Sequence, residues 1–203
     1  MKHLLLTIVA LLSITTSSSF ADEAKVGEAA PQFTLKNAKG TDVSLKSFAG
    51  STVVLEWFNP GCPFVKKFYA NGDMQKFQKE ARNKGVIWLT INSNAAGKQG
   101  HIAQQDADDT MRDLTMQSNE LLLDPTGAVG KSYGARTTPH MFVIDSKGNV
   151  AYAGAIDSTP STRSSDIASS TNYVLAAIDA LAANKPISVS DTEPYGCSVK
   201  YAE

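Results

Sequence analysis

One stretch, residues 53–69 (VVLEWFNPGCPFVKKFY), constrains the fold more than any other part of the chain. Val53, Val54 and Leu55, followed by Trp57 and Phe58, make the continuous apolar, β-rich run of a buried strand. Asn59-Pro60-Gly61 is a turn. Cys62-Pro63 then opens a helical pattern in which Phe64, Val65 and Phe68 are apolar and Lys66 and Lys67 are charged. A cysteine between a strand end and a helix start sits among backbone N–H groups that lack helical partners, at the positive end of the helix dipole. A thiolate is stabilised there, so the Cys62 thiol is predicted to ionise below the ordinary value of about 8.5. Pro63 suits the first helical position, where its missing N–H costs nothing. Cys62 therefore reads as a reactive nucleophile.

The N-terminus has the pattern of a processing signal. Lys2 and His3 precede an apolar run, residues 4–12, and then small residues leading to Ser19-Phe20-Ala21. That run is too short to span a bilayer, and the Ser and Thr residues after it argue against an anchoring helix. Residues 1–21 are expected to be a signal peptide cleaved after Ala21. The rest would be exported, into a compartment such as a bacterial periplasm, with no membrane anchor left after cleavage. Disulfides persist in such a place.

What remains is long enough for one domain with a real core. The formal net charge of the whole chain is −1, and Lys2 is the only charged side chain before residue 22. No basic stripe is evident, so nucleic acid is not an expected partner. The expected domain covers residues 22–185, with a tail, 186–203, that carries Cys197. Residues 33–35 and 43–45 read as short strands around a turn at 37–40. Asp73 is placed to cap a helix over 74–83, and 86–92 (VIWLTIN) reads as a buried central strand. Ala103, Ala107, Met111 and Leu114 share one face of a helix expected over 102–116. A strand at 121–123, a short helix at 127–133, a hairpin of strands 141–144 and 150–154, and a helix at 172–183 follow. The Ser- and Thr-rich residues 158–171 read as a loop. The tail shows neither helical nor strand periodicity and is expected to be mobile. This order predicts an α/β sandwich on a mixed sheet.

Four segments carry a resemblance: VGEAAPQFTLKNAKGTDVSLKSFAG (26–50), EWFNPGCPFVKK (56–67), DPTGAVGKSYGA (124–135) and TTPHMFVIDSKGNV (137–150). On these the chain resembles the thioredoxin-like superfamily. Within it, the resemblance is to the redoxin branch, the peroxiredoxin-like family of alkyl hydroperoxide reductase and thiol-specific antioxidant. It implies a thioredoxin-like α/β fold, a mixed central sheet flanked by helices, with an N-terminal β-hairpin extension. It also implies a cis peptide bond before Pro139, holding the Thr138 backbone against Cys62 where a substrate strand pairs. No cofactor is implied.

The chain departs from its relatives at three positions. Thioredoxin-type oxidoreductases carry Cys-x-x-Cys, and here Val65 stands at the second cysteine. Peroxiredoxins place a Thr and, further upstream, a Pro before the reactive cysteine, where this chain has Asn59 and Leu55. Cys62 thus lacks both a local partner and the usual peroxide-activating residues. The only other thiol is Cys197, which resembles the distant resolving cysteine of peroxiredoxin-like proteins. A purely structural Cys62–Cys197 disulfide is the plain alternative.

Glu56, on the strand, matches the buried acid of thioredoxins and is expected to serve as a general base. Trp57, Thr138, Pro139 and His140 make the expected substrate-binding set. Lys66, one turn beyond Cys62, is expected to stabilise its thiolate. Few histidines and two distant cysteines make a poor metal site, so no metal is expected. The expected function is an exported thiol oxidoreductase using Cys62 with Cys197. Its partners are a protein or small-molecule disulfide and an external thiol reductant. A hydroperoxide-reducing antioxidant peroxidase and a non-catalytic peptide-binding module are the alternatives.

Overall fold

The structure, a computed structural model, describes residues 23–203; the expected leader and its cleavage point lie outside them. The elements, in chain order, are β1 (Thr34–Asn37), β2 (Asp42–Ser44), β3 (Val53–Trp57), α1 (Pro63–Tyr69), α2 (Asp73–Asn83), β4 (Ile87–Asn92), α3 (Ala107–Asp113), β5 (Glu120–Leu123), α4 (Ala128–Ser132), β6 (Thr137–Thr138), β7 (His140–Ile144), β8 (Val150–Gly154), α5 (Tyr173–Ala182) and β9 (Cys197–Ser198). Short 3-10 turns occupy Leu45–Phe48, Gln104–Asp106 and Ser164–Ser169.

The main sheet runs β2-β1-β5-β4-β3-β7-β8. β3 pairs in parallel with β4 and antiparallel with β7, so every residue of β3 has a neighbour on both sides. All five of its side chains are buried, which is why the strand reads as an unbroken apolar run. The β1–β2 hairpin adds to the sheet through β1–β5 pairing, as the expected N-terminal extension.

The alternation of β3 divides the core in two. Val54 and Phe58 point into one cluster with Val65 and Phe68 of α1, Met74 and Ala81 of α2, and Val174 and Ile178 of α5. Val53, Leu55 and Trp57 point into the other, with Phe33, Val129, Tyr133 and Phe142. Helices and irregular segments cover both faces of the sheet, which is the expected thioredoxin-like sandwich. Each such fully buried aliphatic or aromatic side chain contributes about 1.5–3 kcal/mol relative to exposure.

Three local expectations need correction. The helix expected over 102–116 is a 3-10 turn followed by α3, because Leu114 ends the helix and Thr115 turns left-handed (φ 47°). Asp73 is the first helical residue rather than the cap; Gly72, at φ 80°, takes the capping position, and Asp73 pairs with Lys76 instead.

The third concerns the tail. It is tied to the domain along its length rather than left free. Thr192 N donates to Ala153 O (3.1 Å), Val199 N to Arg136 O (3.0 Å), and Ala95 N to Lys200 O (2.8 Å). β9 pairs antiparallel with β6, matching Cys197 with Thr138 and Ser198 with Thr137. Tyr201 packs its ring over Gly127 and Gly130 and donates its hydroxyl to Ala135 O (2.7 Å).

Candidate active site

β3 ends at Trp57, and Asn59-Pro60-Gly61 turns the chain into α1, whose capping position is Cys62 with Pro63 at the first helical turn. The turn is held by Asn59, a fully buried side chain. Its Oδ1 accepts from Gly61 N (2.8 Å), and its Nδ2 donates to Gln99 Oε1 (3.0 Å) and Gln99 O (3.3 Å). This carboxamide is committed to the turn and to the loop over it.

Cys62 is fully buried and its Sγ donates to Thr138 O at 3.0 Å. The Thr138–Pro139 bond is cis. On the other edge of Thr138 lies Cys197, and the two cysteines are close enough that each shifts the acidity of the other. Both are free thiols in this structure. Burial pushes the Cys62 thiol up, but hydrogen bonds from Cys197, from Thr138 and from the Cys197 and Val65 backbone outweigh it, so the Cys62 thiol is lowered from its ordinary value. Cys197 moves the other way, pushed up to about 11 by burial and by its bond to Cys62. The pair is therefore asymmetric: Cys62 is the more acidic thiol and Cys197 the less acidic one.

The other expected site residues are spread more widely. Glu56 is fully buried on the Cys62 side of the sheet but bonds to neither sulfur. It accepts from Tyr69 OH (2.8 Å), Trp88 Nε1 (2.8 Å), Thr90 Oγ1 (3.1 Å) and Gln78 Nε2 (3.2 Å). Burial raises its pKa, and these hydrogen bonds offset part of the rise. Trp57 lies in the opposite cluster, fully buried, with its indole N–H on Ser93 Oγ (3.1 Å), so it is core and does not face the thiols. The cause is strand alternation. His140 is buried on Phe142 with ring centroids 4.6 Å apart, and Arg136 N donates to its Nδ1 (3.3 Å). Burial first, then the Arg136 charge, hold its pKa at about 3, so it is neutral at physiological pH. Lys66 is exposed, and the largest influences on the Cys62 thiol come instead from burial, Cys197, Thr138 and the Val65 backbone.

Three residues that the sequence did not single out secure the site. Lys67, one residue beyond Lys66, is buried and donates from Nζ to Asp157 Oδ2 (3.0 Å), Thr159 O (2.9 Å) and Tyr195 OH (3.3 Å). Tyr195 donates its hydroxyl to Asp157 and sets its ring edge-on to Phe64 of α1, centroids 5.8 Å apart. Burial, then the bond to Asp157 and its charge, keep the Tyr195 phenol protonated. Lys67 was detectable as a charge on the apolar face of α1, between Phe64 and Phe68; its partners were not. This group fastens the tail to α1 two residues before Cys197. Among the described residues, no cluster of three or more His, Cys, Asp or Glu side chains could hold a metal ion.

The Redoxin family model matches residues 25–170. The chain belongs to the Redoxin family. The assignment makes thiol-based redox chemistry its class of activity. It is 25% identical over 160 residues to "Thiol-disulfide oxidoreductase ResA" of Halalkalibacterium halodurans, covering 71% of this chain and 81% of that protein. It is 30% identical over 123 residues to the thioredoxin-like protein YneN of Bacillus subtilis, covering 60% and 66%. Among solved structures, an uncharacterized conserved protein from Geobacillus kaustophilus superposes with a TM-score of 0.74 at 27% identity, over 88% of this chain and 93% of that one. A hypothetical protein from Sinorhizobium meliloti 1021 gives 0.75 at 23% identity, over 89% and 97%, and shares the fold. The Redoxin match contains Cys62 and Pro139 but stops short of Cys197. The role of the tail in this Redoxin chain therefore rests on its geometry.

Proposed function

We propose that this chain is an exported thiol–disulfide oxidoreductase whose redox couple is the Cys62/Cys197 pair. The observation that carries the reading is the meeting of the two cysteines at Thr138, whose carbonyl accepts from Cys62 Sγ (3.0 Å) while its strand pairs with Cys197. Closing the Cys62–Cys197 bond releases two electrons and two protons to an acceptor disulfide, which becomes two thiols. Opening it consumes two external thiols, which leave as a disulfide. Thr138 and Pro139 position Cys62 through the Thr138 carbonyl. Glu56 is assigned a positioning role, tying β3 to α1, α2 and β4 through its four donors. The leader-like residues 2–21 support export, and among the described residues no helix is long and apolar enough to cross a membrane.

A hydroperoxide-reducing cycle is the weaker reading. Peroxide cleavage needs donors aimed at the breaking O–O bond, and Asn59, which stands where peroxiredoxins have Thr, spends its carboxamide on Gly61 and Gln99. The test is intact mass of the full chain after titration with oxidised glutathione. The expected product is a monomer lighter by two hydrogens and restored by reductant. Two free thiols, or a covalent dimer, would overturn the within-chain couple.

A further inference from the structure

In the thioredoxin-like reading, the edge beside the cis-proline is where a partner strand reaches the reactive cysteine. In this chain that edge is already filled. β9 pairs with Thr137 and Thr138, and Thr138 Oγ1 also donates to Cys197 O (3.4 Å). The segment is fastened on both sides. Before it, Tyr195 is bound to Asp157 and Lys67; after it, Lys200 N donates to Asn94 Oδ1 (3.0 Å) and Lys200 O accepts from Ala95 N. Gly196 allows this seat, since at φ 143° a Cβ there would lie 2.1 Å from Thr138 O. No further strand can add to Thr138 while β9 is in place, because its edge hydrogen bonds are taken.

The two cysteines also differ in burial. Cys62 is 0% exposed, in a cluster with Phe58 and Val65, whereas Cys197 is a half-buried residue at the edge of that cluster. We propose that Cys197, carried on this resident strand, is the sulfur at which external thiols and disulfides exchange with the protein, and that Cys62 serves only as its internal partner. The proposal rests on the Cys62/Cys197 couple argued above.

Written for reduction, an external thiolate forms a bond to Cys197 Sγ. The Cys62–Cys197 bond breaks, and its electron pair leaves on Cys62 as thiolate. A second external thiolate then attacks the external sulfur of the mixed disulfide, releasing Cys197, which takes a proton from water, and one external disulfide. The acidity order agrees with this direction, because the more acidic thiol is the better leaving group and Cys62 is the lowered one. Run backward, the sequence has Cys197 engage an acceptor disulfide and the Cys62 thiolate close the bridge on Cys197.

The experiment uses oxidised full-length chain mixed with glutathione, quenched in acid within seconds, alkylated with N-ethylmaleimide at low pH and mapped by peptide mass. The expected result is glutathione on the Cys197 peptide and maleimide on the Cys62 peptide, in excess over the reverse by on the order of tenfold. Glutathione on the Cys62 peptide, or an even split, overturns this inference and leaves the couple standing. A chain that forms no bridge before glutathione is added overturns the couple and this inference together.

Discussion

Thr138 and Cys197 face each other in a two-residue antiparallel pair, and through that pair a tail from the far end of the chain delivers its thiol to Cys62. Thr138 is the common support. Its carbonyl takes the Cys62 S–H, while its other edge holds the backbone of Cys197. In place of a second cysteine one turn along α1, where Val65 stands, this chain has a strand.

That arrangement depends on Gly196. An alanine there would bring its Cβ against Thr138 O and C, in a backbone region that side chains rarely adopt. Gly196→Ala is expected to cost about 1–3 kcal/mol if β9 stays seated, so the strand should lift instead. Bridge formation, followed by intact mass after addition of oxidised glutathione, should slow at least about tenfold, the rate equivalent of 1.4 kcal/mol. A rate equal to that of the unaltered chain would show that β9 pairing does not position Cys197.

The Lys67–Asp157–Tyr195 group permits a graded test. Tyr195→Phe removes one hydroxyl bonded to a charged partner, an effect of about 1.5–3 kcal/mol, while the Lys67–Asp157 pair survives. Lys67→Met strands a buried carboxylate and should cost more, about 3–5 kcal/mol. Urea unfolding midpoints should follow that order. Equal losses would mean the pair and the hydroxyl act as one inseparable unit.

The contrast between what could and could not be read from the sequence has a physical basis. β3, β4, β7 and α1 were legible because each is a local pattern: a strand buried on both faces is a run of apolar residues, and a Cys-Pro after a turn opens a helix. The tail was not. β9 has two residues, too few for any period, and its partner Thr138 lies 59 positions away. Asp157 was hidden for the same reason, in a loop 90 positions from Lys67. Cys62, Thr138 and Pro139 fall together as the resemblance implied. Trp57 was misassigned because a residue next to the right one on a strand points to the wrong side of the sheet.

Cys62 acidity should depend on Cys197. Burial opposes the thiolate, and the Cys197 hydrogen bond is the largest of the groups that overcome it. In Cys197→Ala the Cys62 pKa should therefore rise relative to the unaltered chain. Iodoacetamide reaction rates against pH, with the alkylated peptide identified, measure this directly. An unchanged or lower value would place the stabilisation in Thr138 and the Val65 backbone alone.

Glu56 separates a positioning role from a proton-transfer role. Its folded pKa is raised above the ordinary 4.5, first by burial, so folding takes up a proton at this site. A raised carboxyl contributes stability that is fully present below the unfolded value and is lost as pH rises through the folded one. A tenfold difference in proton affinity between the folded and unfolded chain corresponds to about 1.4 kcal/mol. The unfolding free energy of the unaltered chain, minus that of Glu56→Gln, should thus decline from acid toward neutral pH and level off above the folded pKa. Because no Glu56 hydrogen bond reaches Cys62 or Cys197, the pH profile of Cys62 alkylation should be the same in Glu56→Gln as in the unaltered chain. A displaced alkylation profile, with the stability difference flat in pH, would make Glu56 a proton carrier for the thiols and overturn its assignment to positioning.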